Sequence, residues 1–332
     1  MTAAPQSQVP AHAPGRRVPD FFIVGHPKSG TTALYDMLKR HPGIYMPPVK
    51  EPWYFADELQ PPTPPRPMGH GSTPGTLEEY LSLFDAAAPQ QRAGEASTVY
   101  LWSRTAAGRI ADVQPAARII AVLREPASFL RSLHLQLVQS YLEPEKDLRK
   151  AISLERARRQ GGDASSNSHW PGSTLYSEHV RYVEQLRRYH ALFPPEQVLV
   201  LIYDDFRRDN EATVRKVQRF LGVDDTQPLA EREANRTVRV RSPRLHALLH
   251  TAAAGEGPAL RALRSAVKAL APRALSRESA VAIRDRIIFS NPRPPDESLM
   301  IELRRRFAPE VVALSEYLDR DLTTLWGYDR LG

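Results

Sequence analysis

Residues 21–32 read FFIVGHPKSGTT, and this stretch decides the fold. The apolar run Phe21–Val24 stops at a glycine, which is typical of a strand buried in a parallel sheet. An apolar stripe at helical spacing follows over residues 33–38 and stops before Pro42 and Gly43, which break helices. The stretch therefore predicts a strand, a glycine-containing loop and a helix.

The same alternation continues along the chain. Apolar runs at Ile119–Leu123 and Val198–Tyr203 predict two further buried strands. Helical spacing predicts helices that begin near Pro126, near Tyr176 and after Asp209. Strands that alternate with helices indicate an α/β fold with a central, mainly parallel sheet flanked by helices.

Four stretches do not follow this alternation of strands and helices. Residues 1–19 are rich in Ala, Pro and Gln and are expected to form a disordered tail, with a single domain over 20–332. Within that domain, 57–75 and 161–173 are expected to be mobile loops that border an acceptor cleft. The stretch 244–297 is expected to be a helical excursion, whose cationic amphipathic helices are expected to pack on their own domain rather than on a membrane.

Composition narrows the chemistry. The chain of 332 residues has no cysteine, which excludes disulfides, cysteine nucleophiles and thiolate metal sites and fits a cytoplasmic protein. It has no apolar run near the roughly 18 residues of a membrane span, so we expect a soluble protein. The net charge of +7 suits an anionic ligand, but the basic residues are spread along the chain, which disfavours nucleic acid as a partner.

The loop after the first strand has the parts of a phosphate site. Backbone N–H groups and the positive end of a helix dipole meet there, and Thr31 and Thr32 add hydroxyl donors. The spacing from Gly25 to Gly30 matches a Walker A motif, but Thr31 stands where that motif has its lysine, and the lysine lies at position 28 instead. This difference disfavours a kinase or ATPase.

The segment Pro27–Thr32 resembles the 5′-phosphosulfate loop of the sulfotransferase superfamily, and of bacterial members related to the heparan sulfate sulfotransferases in particular. The resemblance implies a P-loop-like three-layer fold and 3′-phosphoadenosine 5′-phosphosulfate (PAPS) as co-substrate, with no metal required. It implies that Lys28 contacts the bridging oxygen and the sulfuryl group. The 5′-phosphate would be held by Ser29, Gly30, Thr31 and Thr32.

Other pieces of the chain resemble the rest of that nucleotide site. Arg124 at the end of a predicted strand and Ser132 in the next helix resemble the family's 3′-phosphate site. Tyr176 resembles a tyrosine near the nucleotide, but it also fits the apolar stripe of its own helix. A late basic loop offers Arg236, Arg239 and Arg241 as further 3′-phosphate contacts, or as a solvated basic loop.

The catalytic base is expected in the segment 50–55, where Glu51 stands at the position of the family's catalytic glutamate. Glycan-sulfating relatives often have a histidine two residues later, where this chain has Trp53. A carboxylate acts as a general base when it reaches the acceptor hydroxyl. Glu51 could instead serve only in an ion pair with Lys50. Glu95 is a rival base, and two histidines, at positions 26 and 134, are minor candidates.

These features together predict a sulfotransferase that moves a sulfuryl group from PAPS to a hydroxyl of a small-molecule or glycosylated acceptor. Lys28 and Glu51 are its expected catalytic residues. The alternatives are a P-loop kinase or ATPase and a phosphonucleotide-binding protein without catalysis. Neither the acceptor nor the oligomeric state follows from the residues.

Overall fold

We describe a computed structural model of the chain. It describes residues 16–59, 74–161, 172–227 and 294–331, together with the backbone of 239–240 and 289–290. Internal contacts divide the chain into two units, one formed by 1–235 with 296–332 and the other by 236–295. In the second unit, the described strands Arg239–Val240 (β6) and Phe289–Ser290 (β7) pair antiparallel.

A five-stranded parallel sheet lies at the centre of the first unit. Its strands, in chain order, are β1 (Phe21–Ile23), β2 (Ile44–Tyr45), β3 (Arg92–Ala96), β4 (Arg118–Leu123) and β5 (Val198–Ile202). Their spatial order is β2-β3-β1-β4-β5. All four pairings are parallel, so every strand presents its carboxyl end at the same edge of the sheet.

Helices cover both faces of this sheet. The described α-helices are α1 (Thr31–Leu38), α2 (Leu77–Ser82), α3 (Ala106–Val113), α4 (Pro126–Gln139), α5 (Leu148–Ser153), α6 (Glu155–Arg159), α7 (Tyr176–His179), α8 (Tyr182–His190), α9 (Tyr203–Arg208), α10 (Asn210–Leu221), α11 (Glu297–Tyr317) and α12 (Leu322–Leu325). The predicted strand–loop–helix at residues 21–38 and the predicted α/β fold are confirmed.

The strands sort their side chains between two cores because successive residues of a strand point to opposite faces. Phe22 and Ile119 pack with α2, α3, α4, α7, α8, α11 and α12 on one face. Phe21 and Ile120 pack with α1, α9 and α10 on the other. The result is the three-layer arrangement expected from the sequence, with the sheet buried on both sides.

The helix predicted near Tyr176 is two helices, α7 and α8, separated by Val180 and Arg181. The break leaves carbonyl groups of α7 without helical partners. The side-chain amide of Gln185 donates to two of them, the carbonyls of Glu178 and His179, at 2.9 and 3.2 Å. A side chain on α8 thus satisfies the end of α7.

Parts of the stretches expected to be irregular are ordered. Residues 16–19 belong to the folded unit, where Arg16 and Arg17 form ion pairs with Asp85 and Asp20. Asp57–Leu59, inside the first predicted loop, forms a 3-10 helix. Most of the predicted loops and of the helical excursion lies outside the described residues, so these predictions stay predictions. No described helix has the length and apolar character to cross a membrane.

Candidate functional site

The candidate site lies at the carboxyl edge of the sheet, where parallel α/β sheets bind their ligands. Ile23 at the end of β1 is the register partner of Ala96 at the end of β3. The loop 25–30 follows β1, and Arg124 follows directly after β4. Glu51 is tied to the same edge, since its N–H donates to the carbonyl of Ala96 at 3.0 Å. The sheet therefore brings together the three predicted regions of the site.

The loop begins where the backbone passes close to its neighbour strand. The N–H groups of Val24 and His26 donate to the carbonyls of Ile120 and Val122 on β4, at 2.9 and 3.2 Å. A Cβ at Gly25 would stand 2.6 Å from the backbone nitrogen of Val122. Only glycine fits at that separation, so Gly25 sets the position of the loop against β4.

The start of α1 is open to an anion. Gly30 is its N-cap residue with a φ of 84°, and no side chain caps the first turn. No acidic residue lies in that turn either. The first N–H groups of a helix have no intrahelical partner, and they carry the positive end of the helix dipole. Uncapped N–H groups in this position suit a phosphate.

The residues of the predicted 5′-phosphate loop differ in exposure. Ser29 and Thr31 are buried, whereas Gly30 and Thr32 are partly exposed. The hydroxyl of Ser29 has no hydrogen-bond partner among the described residues and no contact with solvent. A contact between Ser29 and a 5′-phosphate therefore stays a prediction.

Two cations lie at the loop: Lys28 belongs to it, and Arg124 bonds to it from the end of β4. Arg124 donates from Nη1 to the carbonyl of Lys28 at 2.7 Å, and its guanidinium lies 4.8 Å from the ring centroid of Tyr203. Burial lowers the pKa of the Lys28 ammonium, and the charge of Arg124 lowers it further. Lys28 itself has a φ of 63°, which is rare for a residue with a side chain. An anion between these cations would relieve the repulsion that their burial creates.

Helix α4 carries the predicted Ser132, which is buried two turns after Pro126. The same helix adds a cation that the sequence analysis missed. Burial lowers the pKa of Arg131, and the charge of Arg124 contributes to this shift, so the two guanidinium groups lie near one another. The position of Arg131 directly before the predicted Ser132 was the feature of the sequence that could have indicated it. Glu125 caps α4 by accepting from the N–H of Ser128 at 2.7 Å.

The C-terminal segment fastens this part of the site. The hydroxyl of Tyr328 donates to Glu125 at 2.7 Å, and Tyr182 on α8 donates to the carbonyl of Arg124 at 2.8 Å. The indole of Trp326 donates to Asp204, next to the ring that stacks on Arg124, at 3.0 Å. The position of Arg124 is therefore fixed by contacts from α8, from α9 and from the C-terminal segment, which are distant from Arg124 in sequence.

Glu51 lies in a backbone segment held in an unusual conformation. Glu51 and Trp53 have φ angles of 61° and 54° on either side of Pro52. Left-handed backbone at residues other than glycine costs on the order of 1–3 kcal/mol each and is found mostly at functional sites. The Glu51 carboxylate accepts from Lys50 at 2.5 Å and from the Trp53 indole at 3.3 Å. Its side chain remains 32% exposed, so it can reach a ligand.

The rival bases are enclosed. Glu95 is 1% exposed and accepts from the hydroxyl of Tyr80 at 2.7 Å. His26 is buried, and burial lowers its pKa to about 3. His134 uses both ring nitrogens, toward the hydroxyl of Tyr176 at 2.8 Å and the carbonyl of Lys146 at 3.1 Å. Of the acidic candidates, Glu51 is the one whose side chain reaches the surface.

Tyr176 is part of a buried polar network. Its hydroxyl donates to Glu143 at 3.0 Å, and Glu143 forms a buried ion pair with Arg158, whose Nη1 lies 2.7 Å away. The hydroxyl is thus occupied between His134 and Glu143, and a nucleotide contact by Tyr176 stays a prediction. Among the predicted late arginines, Arg236 and Arg241 lie outside the described residues, and only the backbone of Arg239 is described.

A cavity of about 200 Å³ lies beside α8. The residues that line it include Trp102, Arg104, Gln185 and Arg188. The Oε1 of Gln185 lies 2.8 Å from Nε2 of His26, two residues before Lys28. Because the amide nitrogen of Gln185 donates to two carbonyls, Oε1 is the acceptor and His26 carries its proton on Nε2. One lining residue of the cavity, Gln185, thus contacts the residue that follows Gly25.

A parallel sheet with an uncapped helix start and paired cations at its carboxyl edge defines a phosphate-binding α/β protein with a P-loop-like fold. The amino-acid sequence identifies the family. A family model described as the sulfotransferase family matches residues 19–227, which is more than half of the chain. The chain belongs to the sulfotransferase family.

Individual relatives agree with this assignment. Human carbohydrate sulfotransferase 15 is 28% identical over 270 residues, covering 67% of this chain and 47% of the relative. Mouse bifunctional heparan sulfate N-deacetylase/N-sulfotransferase 4 is 28% identical over 214 residues, covering 62% of this chain and 22% of the relative. The chain thus spans less than half of the length of these two curated relatives.

A solved structure extends the likeness to nearly the whole chain. The crystal structure of a sulfotransferase from Alicyclobacillus acidocaldarius aligns with 93% of this chain and 99% of its own, with a TM-score of 0.64 and 27% sequence identity. The P-loop-like architecture predicted from the sequence is thereby confirmed.

Proposed function

We propose that this protein transfers a sulfuryl group from PAPS to a hydroxyl of a carbohydrate-bearing or small-molecule acceptor. The observation that carries the proposal is the pairing of Lys28 with Arg124 beside the uncapped start of α1, at the edge of the sheet where Glu51 is also held. Anion-binding groups and an exposed carboxylate are thus present at one edge of the sheet.

The nucleotide fits the charges of this site. Its 5′-phosphosulfate end would lie against the N–H groups of Gly30, Thr31 and Thr32, which no side chain caps. Its 3′-phosphate would pair with Arg124, whose guanidinium forms charge-assisted bonds with phosphate. Arg131, close to Arg124, adds a second positive charge on the same side.

The reaction then needs two groups from the chain. The acceptor oxygen attacks sulfur in line, the bond from sulfur to the bridging oxygen breaks, and 3′-phosphoadenosine 5′-phosphate (PAP) leaves. Lys28 would stabilise the charge that develops on the bridging oxygen, by analogy with phosphoryl transfer. Glu51 would take the proton of the acceptor hydroxyl, since its carboxylate is partly exposed.

The acceptor class rests on the relatives and on the cavity. The relatives bear the names carbohydrate sulfotransferase and heparan sulfate N-sulfotransferase. The cavity that Gln185 lines combines an aromatic ring, Trp102, with the guanidinium groups of Arg104 and Arg188 and with carboxylates such as Glu178. Aromatic faces and charged donors suit a sugar ring that carries polar substituents. We therefore favour a glycosylated acceptor.

Binding of the nucleotide is tested by thermal unfolding. PAP at about 100 times its Kd should stabilise the folded protein by about 2.7 kcal/mol. ATP with Mg²⁺ at the same concentration should stabilise it less, because it lacks the 3′-phosphate. Stronger stabilisation by ATP and Mg²⁺ would favour a kinase or ATPase and overturn the proposal.

Catalysis is tested with labelled PAPS and a panel of sugars, glycolipids and phenols. The wild-type protein should label at least one acceptor, and Glu51→Gln should lower turnover more than tenfold with unchanged PAP affinity. Nucleotide binding without transfer to any acceptor would indicate a binding protein. Normal turnover in Glu51→Gln would assign the base to another residue.

Cytoplasmic location and a reaction without a metal ion complete the proposal. The cytoplasmic location rests on the composition, since the chain has no cysteine, and the metal-free reaction rests on the family resemblance. Addition of a chelator to the labelled-PAPS assay should therefore leave turnover unchanged.

A further inference from the structure

Glu95 is a buried carboxyl that the proposed reaction does not use. It is the second-to-last residue of β3 and is 1% exposed, so it cannot contact an acceptor. A buried carboxyl is costly unless other groups bond to it. Two sets of contacts connect Glu95 to the segment that carries Glu51.

The first connection runs through aromatic rings. The hydroxyl of Tyr80 donates to Oε2 of Glu95 at 2.7 Å. The ring of Tyr80 stacks on Tyr54, with centroids 4.8 Å apart and an interplanar angle of 15°. Tyr54 belongs to the Glu51 segment, three residues after Glu51. Glu95 thus orients one side of that segment through Tyr80.

The second connection runs through the end of β3 and the residue after it. The N–H of Glu51 donates to the carbonyl of Ala96, and the N–H of Trp53 donates to Oγ of Ser97 at 3.2 Å. These two acceptors are the residues directly after Glu95. The strained conformations at Glu51 and Trp53 are therefore held by bonds to the chain on which Glu95 lies.

The two carboxyls also interact electrostatically. The pKa of Glu95 is raised to about 7, mainly by burial and to a smaller extent by the charge of Glu51, while hydrogen bonds from Ser97, Tyr80 and Tyr100 oppose the rise. Glu95 is also faced by tyrosines from three elements: Tyr80 from α2, Tyr100 from the 3-10 helix Thr98–Tyr100, and Tyr189 from α8. Burial raises the pKa of each tyrosine, so none of the three titrates near neutral pH.

We infer that Glu95 is a positioning residue for Glu51: through Tyr80 and the bonds at the end of β3 it holds the segment that carries Glu51, near enough for the charge of Glu51 to act on Glu95. This inference rests on the proposed role of Glu51 as the base. A like charge nearby disfavours ionisation of a carboxyl, so removal of the Glu51 charge changes the protonation of Glu95. Glu95 would set the geometry in which Glu51 meets the acceptor hydroxyl.

Infrared titration of the full chain tests the coupling without any acceptor. The carbonyl stretch of the protonated Glu95 carboxyl is identified by its loss in Glu95→Gln, and its midpoint is expected at about pH 7. Glu51→Gln should move this midpoint to lower pH, because it removes a like charge. The control Glu316→Gln, which alters an exposed carboxylate on α11, should leave the midpoint in place. An equal midpoint in both variants would overturn the inference.

The positioning role is tested by pH profiles of turnover. Glu95→Gln keeps an acceptor for the Tyr80 hydroxyl but no longer titrates, so kcat should lose its change near pH 7, while PAP affinity stays within about twofold. A uniform loss of kcat at every pH would indicate a merely structural role and overturn the inference. Tyr80→Phe should lower kcat with little change in PAP affinity.

The inference and the proposed function can fail separately. A wild-type protein that sulfates no acceptor, but shows the infrared shift in Glu51→Gln, would count against the proposed function alone. A protein with normal turnover and an unshifted infrared midpoint would count against the coupling alone.

Discussion

Arg124 offers the sharpest test of the nucleotide site, because it has two roles that an experiment can separate: it anchors the loop, and it would bind the 3′-phosphate. Its guanidinium anchors the loop through the carbonyl of Lys28 at 2.7 Å and is stacked on Tyr203. Its other N–H groups would pair with a 3′-phosphate. Arg124→Ala removes both contributions, whereas comparison of two ligands isolates the second.

The expected change in affinity follows from a comparison of two ligands. PAP carries a 3′-phosphate, and adenosine 5′-monophosphate does not. Loss of the loop anchor weakens both ligands and cancels in the ratio of their affinities. A hydrogen bond to a charged group is worth about 1.5–3 kcal/mol. The preference for PAP should therefore fall by about 10- to 150-fold in Arg124→Ala, at tenfold per 1.4 kcal/mol.

Isothermal titration calorimetry at one fixed salt concentration measures both affinities, because exposed charges are screened by salt. Arg118→Ala is the matched control, since Arg118 lies at the amino end of the same strand and stacks on Phe220. It should keep the full preference for PAP. An unchanged preference in Arg124→Ala, in a variant that unfolds at the wild-type temperature, would refute the assignment of the 3′-phosphate to this residue.

Three further predictions concern catalysis and stability. Lys28→Ala should lower kcat with labelled PAPS by well over tenfold and weaken PAP far less, because the sulfuryl group is absent from PAP; an equal loss of both would make Lys28 a binding residue only. Arg158→Ala should destabilise the fold by about 3–5 kcal/mol in urea unfolding, since it leaves the Glu143 carboxylate buried and unpaired. Arg159→Ala, on the same helix, should cost about 1 kcal/mol or less, because Arg159 is about half exposed and its partner Glu178 keeps Arg104 and Arg181 as further partners. The raised pKa of Glu95 means that the folded protein holds its proton between about pH 4.5 and 7 while the unfolded chain releases it. Stability should therefore fall as pH rises through that window, by up to about 1.4 kcal/mol per pH unit, and fall less in Glu95→Gln; parallel curves for the two proteins would contradict the buried carboxyl.

Local sequence patterns were sufficient to predict much of the region proposed to bind the sulfuryl donor. The strand, loop and helix over residues 21–38 follow from an apolar run, two glycines and a helical stripe, all within 18 residues of sequence. The helix that begins at Pro126 was equally visible, because proline favours the first turn of a helix. These features depend on neighbours in sequence, which is why they could be predicted.

Other features depended on partners distant in sequence. The helix near Tyr176 was predicted as one piece, and it is broken because Gln185 bonds the carbonyls at the end of α7 while facing His26. Strand β3 was not predicted, since its residues RAGEA carry two charged side chains in five positions. Its burial comes from the pairing with β1 and β2 on either side.

The anion loop itself was thus determined by the sequence, since glycine at position 25, lysine at 28 and an uncapped helix start are properties of a short segment. The relation of Glu51 to Glu95 was decided by the tertiary structure. Forty-four positions separate them, and both read as polar residues of a loop. Only the packing of β3 against the strained Glu51 segment buries one carboxyl and leaves the other partly exposed, and burial is the physical cause of the raised pKa of Glu95.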